Sequence, residues 1–125
     1  MNSVSIERAL TQRDFNDFAA LSGDDNPIHV DPDFSARTRF GRTVSHGMLL
    51  YVVLRGLVDR LLPGATQLSQ DLRFPAPTFA DELMRFSAEV VAADGDSVTV
   101  ALECRRVADD VVTCTGSSLL RKAAP

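Results

Sequence analysis

The segment from His46 to Leu62 constrains the fold of this chain more than any other. It is apolar on almost every side, with a continuous apolar run from Met48 to Leu54. Pro63 and Gly64 follow it and end a helix. A helix that faces water on one side carries a polar stripe, and this segment has none. We therefore expect a long helix surrounded by other elements.

Everything after this helix alternates between apolar and polar residues with a period of two, which is typical of strands. The alternation predicts four strands, at 68–74, 84–90, 98–104 and 112–120. Turn residues lie at Asp94-Gly95-Asp96 and at Ala108-Asp109-Asp110, so the last three strands should form an antiparallel meander. The segment from Ser3 to Ala9 adds a strand at the start of the chain.

One apolar helix and an antiparallel sheet bury their apolar surfaces best when the sheet wraps the helix. The predicted fold class is therefore α+β. The length of 125 residues suits a single domain over 1–125. A sheet of five strands leaves an unpaired edge, and pairing between two copies would cover it. We expect a homodimer.

The N-terminal part carries a second helical pattern and a polar loop. Thr11 precedes an amphipathic helix predicted over Gln12–Leu21, which Gly23 ends. The stretch from Asp24 to Asp33 has the composition of a loop, and another short helix is predicted over Asp33–Thr38.

Composition excludes several classes of function. The net charge is −4, without the basic excess that nucleic-acid binding uses. The longest uncharged apolar run has eight residues, too short to span a membrane, and no secretory signal precedes it, so we expect a cytoplasmic protein. With two cysteines and two histidines, we expect no metal.

The polar loop holds the residues best suited to chemistry. Asp24 and His29 lie five positions apart across a turn that Pro27 stiffens. A carboxylate and an imidazole form a general acid/base pair when a turn directs them to one point. The alternative from the residues themselves is that Asp24 caps a turn and His29 is a core histidine.

Two sequence blocks resemble the MaoC-like family, which includes the (R)-specific enoyl-CoA hydratases. The first is Ser22-Gly23-Asp24-Asp25-Asn26-Pro27-Ile28-His29, with Asp31 two positions further on. The second is Phe40-Gly41-Arg42-Thr43-Val44-Ser45-His46-Gly47-Met48-Leu49-Leu50. The resemblance covers roughly Phe15 to Phe74 in motif and the remainder in strand pattern.

The resemblance implies a hotdog fold, a sheet around a long central helix, usually dimerised edge to edge. It implies that Asp24 and His29 are the catalytic pair that adds water to an enoyl thioester, with no cofactor. Gly47 matches the oxyanion position. An acyl-CoA or acyl carrier protein thioester is the implied substrate, and its expected binding residues are Asn26, Ser45, His46 and Arg55.

Arg55 departs from the family pattern, because short-chain hydratases carry a small hydroxyl residue there. It could contact the substrate or the dimer interface. His46 could instead order the loop. Three arginines, Arg37, Arg39 and Arg42, could meet phosphates or an acidic carrier protein, although such a run is commonly a solvated face. A non-catalytic acyl-thioester-binding module or partner subunit, and an acyl carrier protein-linked dehydratase, are the alternative functions.

The two cysteines lie on neighbouring predicted strands. If Ala108-Asp109-Asp110 is a three-residue loop, Val107 pairs with Val111 and Cys104 lies opposite Cys114. A disulfide there would be strained, and a cytoplasmic chain should keep both thiols reduced.

Overall fold

The computed structural model describes residues 2–125. Its elements follow the order strand, three helices, long helix, four strands. Their bounds are β1 Ser3–Ala9, α1 Gln12–Ser22, α2 Pro27–Val30, α3 Pro32–Ala36, α4 Gly47–Leu61, β2 Thr66–Arg73, β3 Leu83–Asp94, β4 Ser97–Arg106 and β5 Val112–Arg121.

The five strands form one antiparallel sheet in the order β1-β3-β4-β5-β2. The expected meander of the last three strands is confirmed, because β4 lies between β3 and β5. The sheet has two edges, β1 and β2. Within residues 2–125, no helix is long and apolar enough to cross a membrane.

The core lies between the sheet and α4. Buried residues of α4 include Leu50, Leu54 and Val58, which pack with Met84 and Phe86 of β3 and with apolar residues of β4 and β5. The predicted helix with an antiparallel sheet around it is therefore the observed architecture, with its class α+β.

The expectation that α4 is covered on every side is wrong for this chain alone. Met48 is 49% exposed and Val52 is 54% exposed. Both lie on the stripe of α4 that also carries Arg55 and Asp59, opposite the face that packs on the sheet. Five strands cover one face of the helix, and the apolar residues of the other face meet solvent.

The N-terminal helices differ from their predicted forms in two places. Asn26 and Pro27 begin a short helix, α2, inside the segment predicted as loop, and α3 begins at Pro32 rather than Asp33. Helix α1 begins after Thr11 and ends at Gly23 as expected, with a capping box between Thr11 and Asp14.

Cys104 lies opposite Cys114 as predicted, but the predicted loop between their strands is wrong. The backbone N–H of Arg106 donates to Val111 O over 2.8 Å, so the loop is one residue longer than expected. A bulge at Thr113 then shifts the register back. The longer loop and the bulge compensate each other, and both buried thiols are free.

Candidate active site

Three local features position the loop between α1 and α2. Gly23 ends α1 in the left-handed conformation, with φ of 82°, which favours glycine. The hydroxyl of Ser22 accepts a hydrogen bond from the N–H of Asp24 over 3.1 Å. Asn26 accepts one from the N–H of Ile28 over 3.1 Å, and Pro27 opens α2. The turn is therefore held at both ends, and Asp24 and His29 project from it.

Asp24 and His29 approach each other at this turn. The distance from His29 Nε2 to Asp24 Oδ2 is 3.7 Å. The other ring nitrogen of His29, Nδ1, lies 2.7 Å from Val44 O. Because a carbonyl oxygen only accepts, Nδ1 carries the proton in neutral His29. The lone pair of Nε2 then faces the carboxylate side of the site.

His46 links both members of this pair. Its Nε2–H donates to Asp24 O over 2.8 Å. Its ring stacks on the His29 ring, with centroids 3.9 Å apart and planes at 25°. Burial is the largest cause that lowers the pKa of His46, the hydrogen bond to Asp24 opposes it, and the charge of His29 adds to the lowering. His46 is thus favoured in its neutral form.

A cavity of about 530 Å³ contains these groups. Asp24, His29, Ser45, His46 and Gly47 line one wall. Residues 74–78, a segment with two prolines that follows β2, line the adjoining wall, and the Ser45 N–H joins the two walls by donating to Thr78 O over 2.7 Å. Such a volume lies within the range of small-molecule sites, which extends from about 300 to 1,000 Å³.

Gly47 is the first residue of α4, and its backbone N–H donates to no described residue. The amide therefore lies at the positive end of the helix dipole with its hydrogen-bonding capacity free. Gly47 also approaches Phe74 closely. A Cβ built on Gly47 would lie 2.7 Å from Phe74 Cζ.

Two of the residues expected to bind substrate lie outside the cavity. Asn26 caps α2 instead. The Arg55 guanidinium donates to Asp59 Oδ1 over 2.9 Å, one turn further along α4, and Arg55 does not line the cavity of this chain. Ser45 lines the cavity, but its N–H is bound to Thr78 O and its hydroxyl donates to His46 O.

The three arginines of the connecting segment separate in the structure. Arg39 lines the cavity. Arg42 donates to Ala80 O over 2.8 Å and stacks on the Phe79 ring. Arg37 does not line the cavity and is exposed. Of the three, only Arg39 is placed to meet a ligand in the cavity.

Sequence reasoning missed the wall formed by 74–78. The alternation of apolar and polar residues predicts that Phe74 is the last residue of a strand. In the structure β2 ends at Arg73, and Phe74 lies on the cavity wall. The signal available in the sequence was the Pro75-Ala76-Pro77 run, since two prolines cannot continue a paired strand.

Asp24, His29 and His46 also have the composition of a metal site. Their candidate ligand atoms lie within 4.8 Å of one another, and no other such group occurs among the residues that the structure describes. The expectation that the chain uses no metal stays a prediction.

Comparison with known proteins identifies the family. The model of the MaoC like domain matches residues 3–111. The (R)-specific enoyl-CoA hydratase of Aeromonas caviae is 42% identical over 90 residues, which are 70% of this chain and 67% of that protein. The 3-hydroxybutyryl-CoA dehydratase of Methylorubrum extorquens is 30% identical over 118 residues, which are 93% of this chain and 75% of that protein.

This chain belongs to the MaoC-like family. A solved structure of the (R)-hydratase from A. caviae involved in PHA biosynthesis has a TM-score of 0.91 and 30% identity, and it covers 97% of this chain and 94% of its own. The hotdog fold expected from the resemblance is thereby confirmed. The MaoC-like family comprises hydratases and dehydratases that act on hydroxyacyl thioesters.

Proposed function

We propose that this chain catalyses the (R)-specific hydration of trans-2-enoyl thioesters to (R)-3-hydroxyacyl thioesters, or the reverse dehydration. The observation that carries the proposal is the placement of Asp24 and His29 in one cavity, 3.7 Å apart, beside the free amide of Gly47. The similarity to the two enzymes of A. caviae and M. extorquens supports the class of substrate.

The two side chains divide the proton transfers. A water molecule that hydrogen-bonds to both side chains gives its proton to His29 Nε2 while its oxygen bonds to C3 of the enoyl group. Asp24 takes this proton from His29 and delivers it to C2. One water molecule is consumed and both groups are restored. Because both groups project from one turn, addition to one face of the double bond follows.

Gly47 stabilises the charge that hydration creates. As the oxygen of water bonds to C3, negative charge develops on the thioester oxygen before C2 is protonated. A backbone N–H at a helix N-terminus is suited to stabilise it, since the donor is fixed and the helix dipole has the right sign. None of these steps involves a metal or a redox cofactor.

The thioester carrier is coenzyme A or an acyl carrier protein. Both present a phosphate on a pantetheine arm, and Arg39 is the cavity-lining cation that could meet it. Coenzyme A thioesters are the suitable substrates for testing the chain, because they are defined small molecules.

We also propose that the chain forms the homodimer expected from the sequence. Strand β2 is an unpaired edge, and Leu68 on it is exposed. Met48 and Val52 are exposed on α4. A second copy of the chain would remove these exposed apolar side chains from water.

Substitution of the two acid/base groups tests the proposed reaction. Asp24→Asn and His29→Ala should each reduce kcat with crotonyl-CoA by about 10²–10⁴-fold, as for other general acid/base groups. The Asp25→Asn variant is the matched control, because Asp25 is an exposed neighbouring acid that does not line the cavity. It should retain activity.

Circular dichroism of each variant checks the fold, and chiral chromatography of the product checks its configuration. The proposal is wrong if Asp24→Asn and His29→Ala both retain activity, or if the product is the (S) isomer. Absence of activity in the unmodified chain would favour the binding-module alternative.

A further inference from the structure

The ring of Phe74 occupies the space that the absent side chain of Gly47 leaves. A Cβ on Gly47 would lie 2.7, 2.9 and 3.1 Å from three ring carbons of Phe74, closer than atoms pack. Any side chain at position 47 would therefore require the Phe74 ring to move away from its observed position.

Phe74 is exposed although it makes this close contact. It is 43% exposed, and it lines the cavity together with Met48, which neighbours Gly47 and is also exposed. Two large apolar side chains thus flank the free amide of Gly47 and face solvent. Exposed apolar groups beside a cavity are suited to contact a ligand.

The backbone around Phe74 restricts its position. Strand β2 ends at Arg73, and Pro75 and Pro77 follow. Proline fixes φ and limits the residue before it to extended conformations, so the backbone of Phe74 has little freedom. The backbone therefore holds the Cα of Phe74 in place, and the side-chain torsions alone set where its ring lies against Gly47.

We propose that Phe74 is a specificity-determining residue that limits the bulk of the group accepted at C2, next to the thioester carbonyl. The inference rests on the proposed function, because it takes the Gly47 amide as the donor to the thioester oxygen. C2 is bonded to the carbonyl carbon and must then lie near Gly47. A methyl branch at C2 competes with the Phe74 ring for space, whereas an unbranched chain does not.

The test compares an unbranched and a branched substrate in matched phenylalanine variants. Crotonyl-CoA and 2-methylcrotonyl-CoA are assayed with the unmodified chain, Phe74→Ala and Phe34→Ala. Phe34 is the control because it is 37% exposed, a value close to that of Phe74, and does not line the cavity. The readout is the ratio of kcat/KM for the branched substrate to that for the unbranched one.

Phe74→Ala should raise this ratio by about tenfold or more, since one methyl group in a fitted pocket changes discrimination by about 10–200-fold. Phe34→Ala should leave the ratio unchanged. An unchanged ratio in a folded Phe74→Ala variant overturns the proposal. An equal rise in both variants also overturns it, because the effect would then not depend on the contact with Gly47.

Binding measurements separate this inference from the proposed function. If the unmodified chain hydrates neither substrate, calorimetry with butyryl-CoA and 2-methylbutyryl-CoA gives the same comparison without catalysis. Phe74→Ala should then improve the affinity for the branched thioester relative to the unbranched one. An unchanged relative affinity, or binding of neither thioester, contradicts the role of Phe74.

Discussion

His46 contacts both members of the proposed catalytic pair without being one of them. Its Nε2–H holds the backbone carbonyl of Asp24, and its ring stacks on His29. The sequence left open whether His46 binds substrate or orders the loop. The contacts favour ordering of the loop, although the residue also lines the cavity.

The burial of His46 leads to a prediction about pH. The pKa of His46 is lowered in the folded chain mainly by burial, whereas an unfolded chain binds this proton near an ordinary histidine pKa of about 6.5. The unfolded state therefore binds more protons below that pH, and this group makes the free energy of unfolding fall as the solution becomes more acidic.

His46→Gln should remove this contribution, while the glutamine N–H can still donate to Asp24 O. Urea unfolding at pH 7.5 and pH 5.5 measures, for each protein, how far the free energy of unfolding falls between these two pH values. We expect a smaller fall in His46→Gln than in the unmodified chain. Equal falls in the two proteins would show that His46 is not the group responsible.

Gly116 of β5 leaves no room for a side chain beside strand β2. A Cβ on Gly116 would overlap the backbone carbonyl oxygen of Asp71 and lie 2.9 Å from its carbonyl carbon. Backbone atoms of a paired strand cannot move aside as the end of a flexible side chain can. This packing holds β2 against the sheet, directly before the 74–78 wall of the cavity.

Gly116→Ala should therefore lower the free energy of unfolding by about 2 kcal/mol or more, at the upper end of the range for overpacking. Gly56→Ala is the matched control. Gly56 lies in α4 with open space around it, so alanine there should stabilise the helix by about 0.5–1 kcal/mol. Thermal or urea unfolding measures the stability of both variants. Equal stability of Gly116→Ala and Gly56→Ala would contradict the predicted clash at Gly116.

Two copies of the whole chain should associate through the exposed apolar surface of α4 and the β2 edge. Light scattering at micromolar concentration should give a mass of twice 13.6 kDa. Val52→Glu places a charge in this surface and should shift the mass to that of one chain. Leu21→Glu is the control, because Leu21 is 83% exposed and belongs to α1 rather than to α4 or β2, and it should leave the dimer intact.

A single-chain mass for the unmodified protein would refute the homodimer. An unchanged dimer in Val52→Glu would place the interface elsewhere. Both substitutions add the same charge to an exposed site, so a shift confined to Val52→Glu cannot result from net charge.

The helix α4, the five strands and the end of α1 at Gly23 were predicted from local patterns in the sequence. Their signals are local, because apolar period, glycine and proline act within a few residues. The approach of Asp24 to His29 was expected from their spacing across Pro27, and their proposed role as an acid/base pair comes from the resemblance to the MaoC-like family. The strand Ser3–Ala9 even has the predicted bounds.

Contacts between side chains from distant segments were not predicted, because they arise from the packing of the folded chain. The contact of Phe74 with Gly47 joins the end of β2 to the start of α4, and the pairing of Arg55 with Asp59 selects one of several partners. The pairing of Cys104 with Cys114 was predicted, but the longer loop and the bulge that produce it were not. Such contacts depend on register and on how separate segments pack, and a local pattern carries information about neither.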